Sequence, residues 1–119
     1  MIVHRADPGD EFATRERCHI TELLNHARNP ALSVARCRVE PGVTTELHAL
    51  TATAEIYVLI EGAAQMDDGT GLWRPVAAMD CIEIAAGAPQ RIRNTGPRDL
   101  VFLAICTPRF LPPAYRPLE

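Results

Sequence analysis

The sequence predicts an all-β domain, a sandwich or closed barrel, on three observations. Ten prolines and seven glycines fall between short runs of β-branched and alternating residues, no segment sustains a helical period, and the turn signals leave room for about seven or eight strands. The candidate strands are "CHITELL" (18–24), "ALSVARCRV" (31–39), "TTELHAL" (44–50), "EIYVLIEGAAQM" (55–66), "DCIEIA" (80–85), "QRIRN" (90–94) and "LVFLAIC" (100–106). Between them "NHARNP", "PG", "DDGTG", "AAGAP" and "NTGPRD" supply the Gly, Pro, Asn and Asp that set turn geometry. The segment after 106, "TPRFLPPAYRPLE", holds four prolines. Proline donates no ladder hydrogen bond, so this tail is expected to run extended over the barrel, anchored by Phe110 and Tyr115, without joining a sheet.

Alternation assigns faces within the strands. In 31–39, Arg36 and Arg38 share one face and Ala31, Ser33, Ala35, Cys37 and Val39 the other; one arginine is a candidate clamp for a carboxylate or phosphate at the barrel mouth, against a solvated or interface role. In 44–50, Glu46, His48 and Leu50 share a face, as do Glu55, Tyr57 and Leu59 in the next run. If Gln90 points inward, so do Ile92 and Asn94, and Arg91 and Arg93 point out. Cys18 and His19 are adjacent and face opposite ways, a poor chelating pair.

Composition narrows the function classes. With 119 residues the chain suits one domain, and 47% hydrophobic and 23% charged residues with a net charge of −3 suit a globular protein without an electrostatic nucleic-acid surface or a polybasic membrane patch. No apolar run approaches the ~20 residues of a membrane span, and "MIVHRADPGDEF" lacks the apolar segment of a signal peptide, so a cytoplasmic protein is expected. The four cysteines, Cys18, Cys37, Cys81 and Cys106, form no C-x-x-C pair; most are expected to be buried thiols, outside any disulfide. No Ser-His-Asp spacing, phosphate loop or dinucleotide fingerprint is present.

Residues 41–62, "PGVTTELHALTATAEIYVLIEG", set one histidine and one carboxylate between two glycines. Gly42, His48, Leu50, Glu55 and Gly62 fit the pattern G-x5-H-x-H-x(3,4)-E-x6-G with only Leu50 departing, and Met79, Ala85, Gly87, Gln90 and Asn94 fit G-x5-P-x-G-x2-H-x3-N at Gly87 and Asn94. On these two motifs, covering about 31–106, the chain resembles the cupins. The resemblance implies a double-stranded β-helix (jelly-roll) barrel, here a single domain over 1–119: an N-terminal strand segment 1–30, a core barrel of about 31–106 and the proline-rich tail 107–119. Cupins include isomerases, oxygenases, decarboxylases, storage proteins and sensors, so the fold does not choose a function.

In metal-binding cupins the ligands are the two histidines and the glutamate of the first motif with the histidine of the second. Carried over, this chain keeps His48 and Glu55 and substitutes Leu50 and Gln90. Glu46, on the face of His48, is the candidate replacement donor. The set His48, Glu55, Gln90 and Glu46 would hold a divalent metal weakly, Zn, Mn, Ni or Fe, as an implied cofactor. The catalytic candidates are Glu55, as general base, and Tyr57, whose phenol can orient a ligand. The expected function is binding of a small sugar- or acid-like molecule in the barrel, by a divalent-metal-dependent enzyme or by a metal-free ligand-binding or sensor module. A homodimer is the expected assembly, through an N-terminal strand pairing across a sheet edge, with neither nucleic acid nor membrane as partner.

Overall fold

The computed structural model describes residues 1–119. Its strands are β1 (Phe12–Ala13), β2 (His19–Leu24), β3 (Ser33–Val39), β4 (His48–Leu50), β5 (Ala54–Glu61), β6 (Ala63–Asp67), β7 (Arg74–Ala77), β8 (Cys81–Ile84), β9 (Arg91–Asn94), β10 (Leu100–Thr107) and β11 (Tyr115–Pro117). They form a double-stranded β-helix. One wall is a six-stranded sheet in the order β1-β2-β3-β10-β5-β8; the other is the three-stranded sheet β7-β6-β9 together with the pair β4-β11. Bridges Thr44↔Arg93 and His48↔Gln90 join β9 to the segment leading into β4. His48 and Gln90 exchange backbone hydrogen bonds of 3.1 and 2.8 Å, so the two motif positions are held side by side.

Alternation fills the space between the walls. In β5, Glu55, Tyr57 and Leu59 are buried while Ile56 and Val58 are half-buried on the other face. Val39, Leu59, Ile92, Leu100 and Phe102 are almost wholly enclosed, each side chain contributing about 1.5–3 kcal/mol by leaving water. In β9, Ile92 and Asn94 point inward and Arg91 and Arg93 outward, as expected. Asn94 is structural: its Nδ2 donates to the carbonyls of Val39 (2.9 Å) and Arg98 (2.7 Å), and its Oδ1 accepts from Gly96 N (2.9 Å).

Several expectations need correction. The run 55–66 is two strands, because Gly62 turns the chain at φ +96° and a Cβ there would lie 3.2 Å from Leu100 Cα. The run 44–50 is regular only from His48. The short strands β1 and β7 lie outside the expected set, being too brief or too exposed to alternate. The tail does join a sheet: β11 pairs antiparallel with β4, Tyr115 opposite Leu50 and Pro117 opposite His48. Thr51 N donates to Ala114 O and Leu118 N to Leu47 O, both at 2.8 Å, so the bonding falls to residues flanking the proline, which an edge strand tolerates. Arg36 and Arg38 lie outside the cavity lining; both bind Glu11, and Arg38 also binds Asp99. Cys18, Cys37 and Cys106 are buried thiols, but Cys81 is exposed.

Candidate functional site

A cavity of about 260 Å³ lies between the inner face of the six-stranded sheet and the β4–β11 wall. Most of it is apolar: Phe12, Ile20, Val34, Leu50, Phe102, Ala104 and Phe110 line it. Its polar lining includes His48 from β4, Glu55 and Tyr57 from β5, Cys106 from β10, Tyr115 from β11 and Glu16 from the β1–β2 turn.

His48 is fixed on two sides. Its Nδ1 lies 2.7 Å from the Glu46 carbonyl, which can only accept, so Nδ1 carries the proton and Nε2 faces the cavity. Its ring stacks on Tyr115 at 4.8 Å and 19°. The Glu16 carboxyl lies 3.7 Å from Nε2. Sequence reasoning missed Glu16, because the turn "TRER" has no periodicity and the first expected strand began after it. The turn is built locally: Thr14 bonds to Cys18 O through N (3.0 Å) and Oγ1 (2.7 Å), and Arg17 takes a left-handed φ of +68°. It is then pinned across the barrel, Glu46 N donating to Glu16 O at 3.0 Å and Arg17 Nε to Thr44 O at 2.7 Å.

Glu55 is buried with both oxygens occupied, accepting from Gln90 Nε2 at 2.7 Å and from the Cys106 thiol at 3.5 Å. Burial raises its carboxyl above the usual range, against the lowering effect of those two donors. Glu16 is raised by burial too, and further by Glu55 and Glu46, while His48 pulls it down. Burial raises the Tyr57 phenol strongly; its ring packs against Phe102 with centroids 4.4 Å apart. Gln90 does not line the cavity, and its Oε1 is buried without a hydrogen-bond partner.

The four expected metal donors are not gathered round one point. Glu46 turns away from the cavity lining and takes the Tyr115 hydroxyl (2.6 Å) and Arg15 (3.4 Å), because the chain is not yet a regular strand there. Leu50 fills one motif position with hydrocarbon, and Gln90 presents its N–H to Glu55. No three His, Cys, Asp or Glu side chains are grouped so as to hold a metal ion. The residues present do not fit a resident divalent metal.

A jelly-roll barrel enclosing an apolar cavity with a few convergent polar groups defines a class, the small-molecule-binding barrels. No family model matches the chain. An oxalate-binding protein of Thermotoga maritima is 35% identical over 77 residues, 65% of this chain and 63% of that protein, so the match spans less than two thirds of the relative. Among solved structures, a predicted oxalate decarboxylase from Thermotoga maritima is 26% identical with a TM-score of 0.73, over 90% of this chain and 98% of its own. A cupin 2 conserved barrel domain protein from Salinispora arenicola gives 20% and 0.77, over 90% and 88%. A nucleoside dehydratase of Streptomyces gives 13% and 0.79, over 99% and 92%. The chain shares the double-stranded β-helix fold of these barrels.

Proposed function

We propose that the barrel cavity binds a small organic molecule and that Glu16 and His48 exchange a proton with it, without a resident metal. The observation that carries this reading is the Glu16 carboxyl 3.7 Å from His48 Nε2, on a ring whose other nitrogen is held by Glu46 O. A titratable pair with one partner locked in orientation, beside a mainly apolar cavity, is the arrangement of general acid–base chemistry. Glu55 and Tyr57 serve as hydrogen-bonding groups on the opposite wall, and Tyr115 keeps the imidazole in place. A metal-dependent enzyme is the weaker reading, since Leu50 and the Gln90 amide occupy two of the four ligand positions. The apolar walls favour a second reading, a ligand-binding or sensor module without catalysis.

Elemental analysis of protein purified without an affinity tag addresses the metal: well under one equivalent is expected, and a stoichiometric metal would overturn the metal-independent part. A thermal-shift screen of small organic molecules addresses the cavity. Hits should vanish in Ala104→Phe, which fills it; equal binding there would remove the cavity from the function. Hits are then incubated in deuterated solvent and examined by mass spectrometry. Exchange lost in His48→Gln supports proton transfer, and binding without exchange selects the sensor reading.

Assembly and location follow as proposals. Ile2, Val3 and Phe12 are exposed at or before the β1 sheet edge, which supports a homodimer through that edge; sedimentation at the monomer mass would remove it. No helix is long and apolar enough to cross a membrane. A cytoplasmic setting rests on the four cysteines that the fold leaves as thiols.

A further inference from the structure

The cavity's charge and hydrogen-bonding pattern carry its ligand class one step further. Three acids line it, Glu16, Glu22 and Glu55, against one arginine, Arg15. Arg15 stands with its side chain 67% exposed, already paired with Glu46 at 3.4 Å. Arg17, the next cation along the turn, points away to Thr44 O and Glu119. No arginine is therefore left over to receive an anion.

The hydrogen bonds point the same way. With Nδ1 held by Glu46 O, His48 turns Nε2 toward the cavity, the ring nitrogen that can accept in the neutral tautomer. The Glu16 carboxyl accepts no hydrogen bond from the protein; its nearest polar partner is that same Nε2. Glu16 and His48 Nε2 thus face the cavity with no donor from the protein between them, and leaving buried acceptors unmatched is unfavourable.

We infer that the cavity selects an organic cation, a primary or secondary ammonium group on a mainly apolar body, and discriminates against carboxylates and dicarboxylates. The ammonium N–H groups reach Glu16 Oε and His48 Nε2, and the body lies against Ile20, Phe102 and Phe110. Burial raises Glu16 and Glu55; a cation placed beside them offsets that desolvation and favours their ionised forms.

This inference rests on the reading of the cavity as a small-molecule site, and the test separates the two. Benzylamine, benzyl alcohol, benzoate and oxalate are titrated into the full chain by calorimetry. Benzylamine should bind about tenfold more tightly than benzyl alcohol, and benzoate and oxalate more weakly than either. Glu16→Gln should bring benzylamine down to the level of the alcohol; Glu55→Gln, also isosteric, provides a second variant if the first fails to fold. Benzoate or oxalate binding as tightly as benzylamine, or an amine preference that survives both substitutions, overturns the inference while the cavity remains a binding site. Absence of binding by all four overturns the inference together with the reading of the cavity.

Discussion

Replacing Tyr115 by phenylalanine should loosen the wall that holds His48, by an amount the structure allows to be worked out. The hydroxyl donates to Glu46 Oε1 at 2.6 Å, and a hydrogen bond to a charged acceptor contributes about 1.5–3 kcal/mol. Tyr115 is half-buried, so the lower end applies, about 1.5 kcal/mol. The ring that stacks on His48 is retained. For a domain of this size 1 kcal/mol corresponds to roughly 4 °C in Tm, and the variant should melt roughly 6 °C lower. Tyr115→Ala also removes the stacking, a further ~0.5–1.5 kcal/mol, and should lie clearly below it. Arg15 reaches the same carboxylate from a largely exposed position, and such a pair is worth about 0–1 kcal/mol, so Arg15→Ala should shift Tm little. Urea denaturation of Tyr115→Phe, Glu46→Gln and the double variant should give a coupling energy of about 1 kcal/mol. A Tyr115→Phe variant as stable as wild type, with Arg15→Ala the costlier change, would show that the tail is held by something other than this bond.

Glu55→Gln keeps the acceptor for Gln90 and removes the buried charge. Because the folded carboxyl is raised above its ordinary 4.5, its stabilising share is fully present below that value and is lost as pH rises through the raised one; the variant should gain on wild type as pH rises above 4.5 in denaturant melts, and parallel curves would refute this. Backbone strain predicts a pair of opposite sign: Gly62→Ala, forced to φ +96° against Leu100, should cost about 1–3 kcal/mol, whereas Met79→Gly relieves a side chain at φ +75° and should raise Tm slightly. Leu50→His with Gln90→His should melt lower than wild type in chelator, by about 1–3 kcal/mol, and rise more than wild type when Zn²⁺ or Ni²⁺ is added, by linkage; no response to metal would mean that these positions do not converge with His48 and Glu55.

The barrel was legible because its strands obey a period of two and its turns need particular residues. Glu55, Tyr57 and Leu59 alternate inward as read, and Gly42 and Gly62 both take positive φ. The second motif is degenerate in side chains but less so in backbone: Met79, at a motif glycine position, still takes a left-handed φ of +75°. His48 and Glu55 were found through the spacing of the motif and do line the cavity. Glu46 was misjudged because a face rule was applied to residues that precede the regular strand. Glu16 and the partnership of Tyr115 with Glu46 were out of reach for a different reason. Each depends on two segments remote in sequence meeting across the barrel, and neither segment has a period to announce where it goes.

The cavity is bounded by parts of unequal standing. Its floor and long wall come from strands that also make the core, where a change of side chain disturbs packing. The side bearing Glu16 and Tyr115 comes from a hairpin turn and an edge strand, near the two chain ends. Those two segments can change their residues while the barrel beneath stays folded. The cavity's chemistry is thus divided: exchanging Glu16 and Tyr115 would alter what it recognises from the side of the chain ends, while His48, Glu55 and Tyr57 stay fixed on strands that also hold the barrel together.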